Sequence, residues 1–161
     1  MAFGKFARKI GGWKAQKEGK NWEAHWRFKC QRSSISVIRI PDGCQKMFMG
    51  GRLVLKAVKS PFDWILGFGN QTAFVDTKSI DADRLVHSKI IPHQVLAMET
   101  LARHGNVCGY VVFFRPVNKV VFVNSNLLAK LSPRSSIGHE DGLDLGTLEA
   151  FDPKFLFQSA K

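Results

Sequence analysis

Residues 60–79, SPFDWILGFGNQTAFVDTKS, leave the backbone few options. Trp64-Ile65-Leu66 and Ala73-Phe74-Val75 are aromatic or largely β-branched runs, and the intervening Gly67-Phe68-Gly69-Asn70 is turn chemistry, so the segment reads as a β-hairpin. With Gly69-Asn70 as the central pair of a tight turn, Phe68 faces Gln71, and counting outward Asp63 faces Asp76. Like charges directly across a strand pair, with Cβ atoms about 5 Å apart, are destabilising. Something must offset that repulsion.

Side chains alternate along a strand, so Phe74, Asp76 and Lys78 share one face. Two carboxylates and an ammonium are thereby gathered on one patch. Two readings stand open. One is a surface ion pair of Lys78 with the aspartates. The other is a divalent-metal site, in which hard oxygen ligands bind Mg²⁺ and the lysine holds an attacking water or a substrate phosphate.

A chain of 161 residues, 45% hydrophobic with 13 phenylalanines, is long enough for one domain with a real core. It contains no apolar run of membrane-spanning length, and its start, MAFGKFARKIGGWKAQK, is basic without the apolar stretch of a signal peptide. A cytoplasmic location with no membrane partner is expected. Cys30, Cys44 and Cys108 are odd in number and widely spaced, which fits reduced thiols. The net charge of +11 is distributed unevenly. Residues 1–61 carry 14 Lys/Arg against 3 Asp/Glu, whereas residues 62–161 carry 10 of each. Such asymmetry points to a polyanion-binding surface attached to a neutral body, with a merely solvated basic face as the plainer alternative.

Residues 1–18, with Lys5, Arg8, Lys9, Lys14 and Lys17, read as a flexible basic arm, and 19–161 as a single domain. From Lys20 to Arg32, Trp22, Trp26 and Cys30 recur at helical spacing, the stripe of a helix packed on a core. Glu23 lies at the stripe's edge, with Arg27 four residues on as its ordinary ion-pair partner. Ser36–Ile40 reads as a strand. Residues 44–60 read as a second strand pair broken at Gly50-Gly51 and studded with Lys46, Arg52, Lys56 and Lys59, which either packs on the sheet or projects from it. Pro92 stands at the first position of a helix over His93–Arg103 that aligns Gln94 with Met98 and Leu101; a buried glutamine satisfied by a loop carbonyl is the plain reading of Gln94. Gly109–Phe114 and Lys119–Asn124 form a second apolar hairpin. Short helical stretches follow, with Glu140, Asp141 and Asp144 solvated.

The order of these pieces resembles the PD-(D/E)xK nuclease core, and within it the RecU-type Holliday junction resolvases. The resemblance is carried by GKNWEAHW (Gly19–Trp26), SPFDW (Ser60–Trp64), FVDTKS (Phe74–Ser79), HSKIIPHQVLAM (His87–Met98) and GYVVFF (Gly109–Phe114). It implies an α/β (α+β) restriction-endonuclease-like fold, a mixed central sheet flanked by helices, with residues 44–60 standing where the family has a projecting stalk. By the same resemblance Asp63 and Asp76 would bind Mg²⁺ or Mn²⁺, with Glu23 contributing directly or through water and the Thr77 carbonyl as a further ligand. Lys78 would position or activate the nucleophilic water, and Gln94 would orient water or the scissile phosphate.

The function so implied is metal-dependent cleavage of four-way DNA junctions by paired nicks, by a homodimer, in recombination and repair. Lys5, Arg8, Lys9, Lys14, Lys17, Lys20, Lys46, Arg52, Lys56 and Lys59 would supply phosphate affinity for branched double-stranded DNA. The competing expectations are a nuclease for other branched, nicked or duplex DNA and a DNA-binding protein without catalysis.

Overall fold

A computed structural model describes the backbone of residues 3–49 and 51–158, with the side chains of these except 3–16, 44–45, 47–49 and 54. Helix α1 (Phe3–Arg32) leads into strand β1 (Ser36–Arg39), the ribbon β2 (Gly43–Met49) and β3 (Arg52–Val58), and the hairpin β4 (Trp64–Phe68) and β5 (Gln71–Ile80). After β6 (Arg84–Val86) come α2 (Pro92–Ala102), β7 (Val107–Phe114), β8 (Lys119–Asn124), α3 (Ser125–Ala129), β9 (Ser136–Gly138), β10 (Leu143–Gly146) and α4 (Phe155–Gln158).

Six strands form one mixed sheet in the order β1-β4-β5-β7-β8-β10. The opening hairpin has the expected register, Trp64 opposite Val75 through Phe68 opposite Gln71. Strand β5 pairs parallel with β7, aligning Asp76 with Tyr110. The connection between them carries α2, as a parallel pair requires a long crossover. Every other pair in the sheet is antiparallel.

Strand alternation separates two cores. Ala73 and Val75 of β5, with Val111 of β7 and Val120 of β8, face Trp22, Trp26 and Cys30 of α1, where Trp26 stacks on Phe151 at 5.9 Å. On the opposite face Tyr110, Val112, Val121 and Val123 pack with Val95 and Met98 of α2 and Leu128 of α3. Phe74 leans on that second core, so Asp76 and Lys78, in step with it, belong to the α2 side of the sheet.

Several elements depart from the reading of the sequence. Helix α1 begins at Phe3 instead of Lys20, so the stretch expected as an arm carries helical backbone. Alanines, lysines and Gln16 there favour helix enough to continue it past the glycines once the Trp22-Trp26-Cys30 face anchors it. The helix closes where Ser34 adopts φ 57° and the Ile35 N–H returns to the Cys30 carbonyl at 3.0 Å. The 44–60 segment is a separate two-stranded ribbon, and Leu53, Leu55 and Val58 on it are exposed, so it stands off the body. A small β6–β9 ribbon and the edge strand β10 lie in segments read as loop and tail. Glu140 and Asp141 are exposed as expected but both pair with Arg84, and Asp144 pairs with Lys119.

Gly109 marks the tightest passage in the sheet, since a Cβ there would collide with the Val123 carbonyl and lie 2.9 Å from Asn124 Cα. Gly109→Ala is therefore expected to destabilise the fold by about 1–3 kcal/mol. Gly67→Ala meets only the Ser36 Cβ, at 3.6 Å, and should stay within about 1 kcal/mol of wild type when both variants are unfolded in urea.

Candidate active site

The hairpin places Asp76 in mid-strand on β5 and Asp63 immediately before β4, where the register carries it across from Asp76. Asp76 is 1% exposed and Asp63 half-buried. The Thr77 N–H donates to Asp76 Oδ1 at 3.0 Å, and the Lys78 ammonium stands 2.5 Å from Asp76 Oδ2. That approach lacks hydrogen-bond alignment, so among the described residues Oδ2 has no aligned nitrogen or hydroxyl donor, and a side-chain hydrogen bond between the Asp63 and Asp76 carboxyls forms only when Asp63 holds a proton. Burial first, and then the adjoining Asp76 carboxyl, push Asp63 up to about 8, with Glu23 adding to the rise and Lys78 opposing it. One lysine does not relieve the pair. Near neutral pH Asp63 must therefore hold a proton or share a cation with Asp76.

Both alternatives left open by the sequence find part of their answer here. The ion pair exists, yet Asp76 is buried and the two carboxylates remain under-compensated. Hard carboxylate oxygens on a shared face, one with no donor directed at it, are a donor set that fits Mg²⁺ or Mn²⁺. Among the described residues no three His, Cys, Asp or Glu side chains gather closely enough to hold a metal. The acidic contribution is thus two carboxylates, in keeping with Mg²⁺ sites completed by water and substrate phosphate.

Glu23 is not a member of that pair. Its carboxylate is bound 2.9 Å from Arg39, which also lies over the Trp64 ring at 5.7 Å. The expected partner Arg27 is displaced because β1 brings Arg39 across from α1, a contact that spacing along one helix cannot show. Glu23 still acts on Asp63 through its charge.

Gln94 is 4% exposed and bridges the sheet to the loop that carries Asp63. Its Oε1 accepts from the Tyr110 hydroxyl at 2.7 Å, and its Nε2 donates to the Ser60 carbonyl over a long 3.5 Å. Ser60 is held further by Asp42, whose Oδ1 accepts from the Ser60 N–H at 3.0 Å, and its own hydroxyl donates to the Phe62 carbonyl at 2.6 Å. The loop-carbonyl reading of Gln94 is the one the geometry supports. Gln94 fixes the approach to Asp63 and does not point a free amide into solvent.

Tyr110 is the residue the sequence reading passed over. It is fully buried, its ring lies 5.0 Å beneath the Lys78 ammonium, and its hydroxyl also accepts from the Ile91 N–H at 3.3 Å. Burial raises its phenol, with Asp76 and Asp63 adding to the rise and the Ile91 N–H working against it, so it stays a donor toward Gln94. The signal was present: this is the chain's one tyrosine, set in the apolar run GYVVFF, where a buried hydroxyl needs a partner. Thr77 is buried as well, and its hydroxyl accepts from Trp64 Nε1 at 3.3 Å.

The expected DNA-contacting residues are spread along α1 and the ribbon. Lys17, Lys20, Lys46, Arg52, Lys56 and Lys59 are exposed, while the side chains of Lys5, Arg8, Lys9 and Lys14 lie outside the described residues. No helix of the described residues is long and apolar enough to cross a membrane.

The raised Asp63 sets the sign of a pH effect. An aspartate near 3.8 when unfolded and about 8 when folded binds more protons in the folded state between those values. Without divalent metal, stability should fall as pH rises from about 4 to 8, relative to Asp63→Asn. Mg²⁺ should raise the melting temperature more at pH 8 than at pH 5, and scanning calorimetry of both proteins measures each effect. Tyr110→Phe should cost about 1–2 kcal/mol in urea unfolding through the unpaired Gln94 oxygen.

No protein-family model matches the chain, and no curated protein matches it in sequence. Its fold does match a solved structure, that of Archaeoglobus fulgidus Hjc, a Holliday junction resolvase from an archaeal hyperthermophile. The TM-score is 0.55 at 18% identity, over 78% of this chain and 95% of that one. The likeness is one of fold: a mixed central sheet flanked by helices, as the nuclease resemblance implied.

Proposed function

We propose that this chain is a metal-dependent endonuclease that cuts four-way DNA junctions, of the RecU type within the PD-(D/E)xK nucleases. The observation that carries the reading is the buried, under-compensated pair Asp63–Asp76 with Lys78 at its edge. The fold shared with a protein described as a Holliday junction resolvase supports it, as do the ordered sequence pieces that resemble the family. Paired nicks need two copies of the site, so the proposal includes a homodimer.

The chain's residues divide the work. Asp63 and Asp76 would hold Mg²⁺ or Mn²⁺, with the Thr77 carbonyl beside them. Such an ion supplies Lewis-acid polarisation of a phosphodiester oxygen and lowers the pKa of a bound water. Lys78 is held at the mouth by Asp76 on one side and the Tyr110 ring below, where its ammonium can orient an attacking water or offset charge that develops on the phosphate. Gln94 and Tyr110 keep the Asp63 loop in register with β5, and Glu23 tunes Asp63 from a distance. Exposed lysines and arginines of α1 and the ribbon would hold the flanking duplexes by phosphate contacts.

A synthetic four-way junction incubated with Mg²⁺ should be cut, and linear duplex of the same sequence cut far more slowly. Asp76→Ala and Lys78→Ala should each slow cleavage by at least about a hundredfold while leaving junction binding in EDTA within about threefold. Folded wild-type protein that leaves junction, flap and duplex intact rules out the enzymatic reading.

A further inference from the structure

Around Lys78 the surface opens into a cleft of about 770 Å³, and of its lining the mechanism uses Lys78 alone. Lys78, Arg84, Lys89 and Arg115 line it and outnumber the carboxylates Glu18 and Asp81, with Ile80 and Ile91 as apolar walls. Its cations differ in freedom. Arg84 is committed to Ser136 Oγ at 2.7 Å and to Glu140 at 2.9 Å. Arg115 is anchored by Glu18 of α1 and lies 3.6 Å from Asp81, yet its Nε–H is buried without an acceptor among the described residues. Lys89 is exposed and makes no ion pair among the described residues.

We propose that this cleft takes one or two unpaired nucleotides of the cut strand, directly beyond the scissile phosphate, with Lys89 on the phosphate and Ile80 and Ile91 against sugar or base. The inference rests on the nuclease reading and extends it to substrate choice. Three features favour a single strand. The cleft's volume falls within the few hundred to about 1,000 Å³ of pockets that enclose small ligands, the scale of one or two nucleotides and not of a duplex. Cations interleaved with apolar walls are the composition that tracks an unpaired backbone while accepting its bases. Finally, Lys78, which pairs with Asp76, also lines the cleft, so a strand seated in it lies next to the acidic pair. A four-way junction is fully paired at rest, but the pairs at its crossover open at the lowest unstacking cost, so branched DNA supplies such nucleotides more cheaply than linear duplex does.

The test uses the full chain in EDTA, to prevent cleavage, with a fluorescent four-way junction carrying two unpaired nucleotides at its branch and a linear duplex of equal length. Lys89→Ala should weaken binding of that junction about tenfold and of the duplex less than twofold, and should make the salt dependence of junction binding shallower by about one. A 2-aminopurine at the first unpaired position should change its fluorescence on binding wild type, and less so with Lys89→Ala. Lys130→Ala, which removes an exposed lysine outside the cleft, should match wild type throughout. Equal losses on junction and duplex, or none, overturn the cleft while Mg²⁺-dependent cutting by wild type leaves the nuclease reading standing. Selective loss in a protein that never cuts keeps the cleft and removes the nuclease. Absence of DNA binding by wild type removes both.

Discussion

The repulsion between Asp63 and Asp76 is the constraint around which the rest of this structure is arranged. A hairpin register fixed by its turn puts the carboxylates opposite each other, and pairing of β5 with both β4 and β7 sinks Asp76 into the middle of the sheet. Burial removes the water that would otherwise screen the pair, and the single nearby ammonium leaves Asp63 raised to about 8. A sheet tolerates such a pair only where its surroundings hold both groups in place. Those surroundings are visible: Asp42 and Gln94 hold the Ser60 loop, and Tyr110 holds Gln94.

The two faces of the sheet carry separate duties. Trp22, Trp26 and Cys30 of α1 seal one face with aromatic packing. The other face, under α2, combines an apolar core with the polar chain from Tyr110 through Gln94 to Ser60. Lys78 sits where this polar chain meets solvent, between the acidic pair and the basic cleft. Under the proposed function, that position lets one side chain belong both to the reacting centre and to a path for the strand to be cut.

Much of this was legible in the residues because its causes are local. Turn chemistry at Gly69-Asn70 sets the register that faces Asp63 with Asp76, and β5 alternation places Lys78 on the same side as Asp76. Pro92 begins α2 as expected, and the ribbon's two strands end at Met49 and resume at Arg52. What was not legible depends on contacts between distant segments. Glu23 finds Arg39 instead of Arg27 because a strand crosses α1, and Arg84 finds Glu140 because β6 pairs with β9. Helix α1 extends to Phe3 although glycines and a high positive charge made its first half read as unstructured. Tyr110 was concealed by its own context, an apolar run in which only the need of its hydroxyl for a partner set it apart.

The central claim is that Asp63 and Asp76 share a divalent cation, and anomalous diffraction from a crystal soaked in Mn²⁺ tests it most directly. The account predicts an anomalous peak bound by both carboxylates, about 2.0–2.2 Å from an oxygen of each, with Lys78 still beside Asp76. Well-diffracting crystals that show Mn²⁺ elsewhere on the molecule and none at this pair would contradict it.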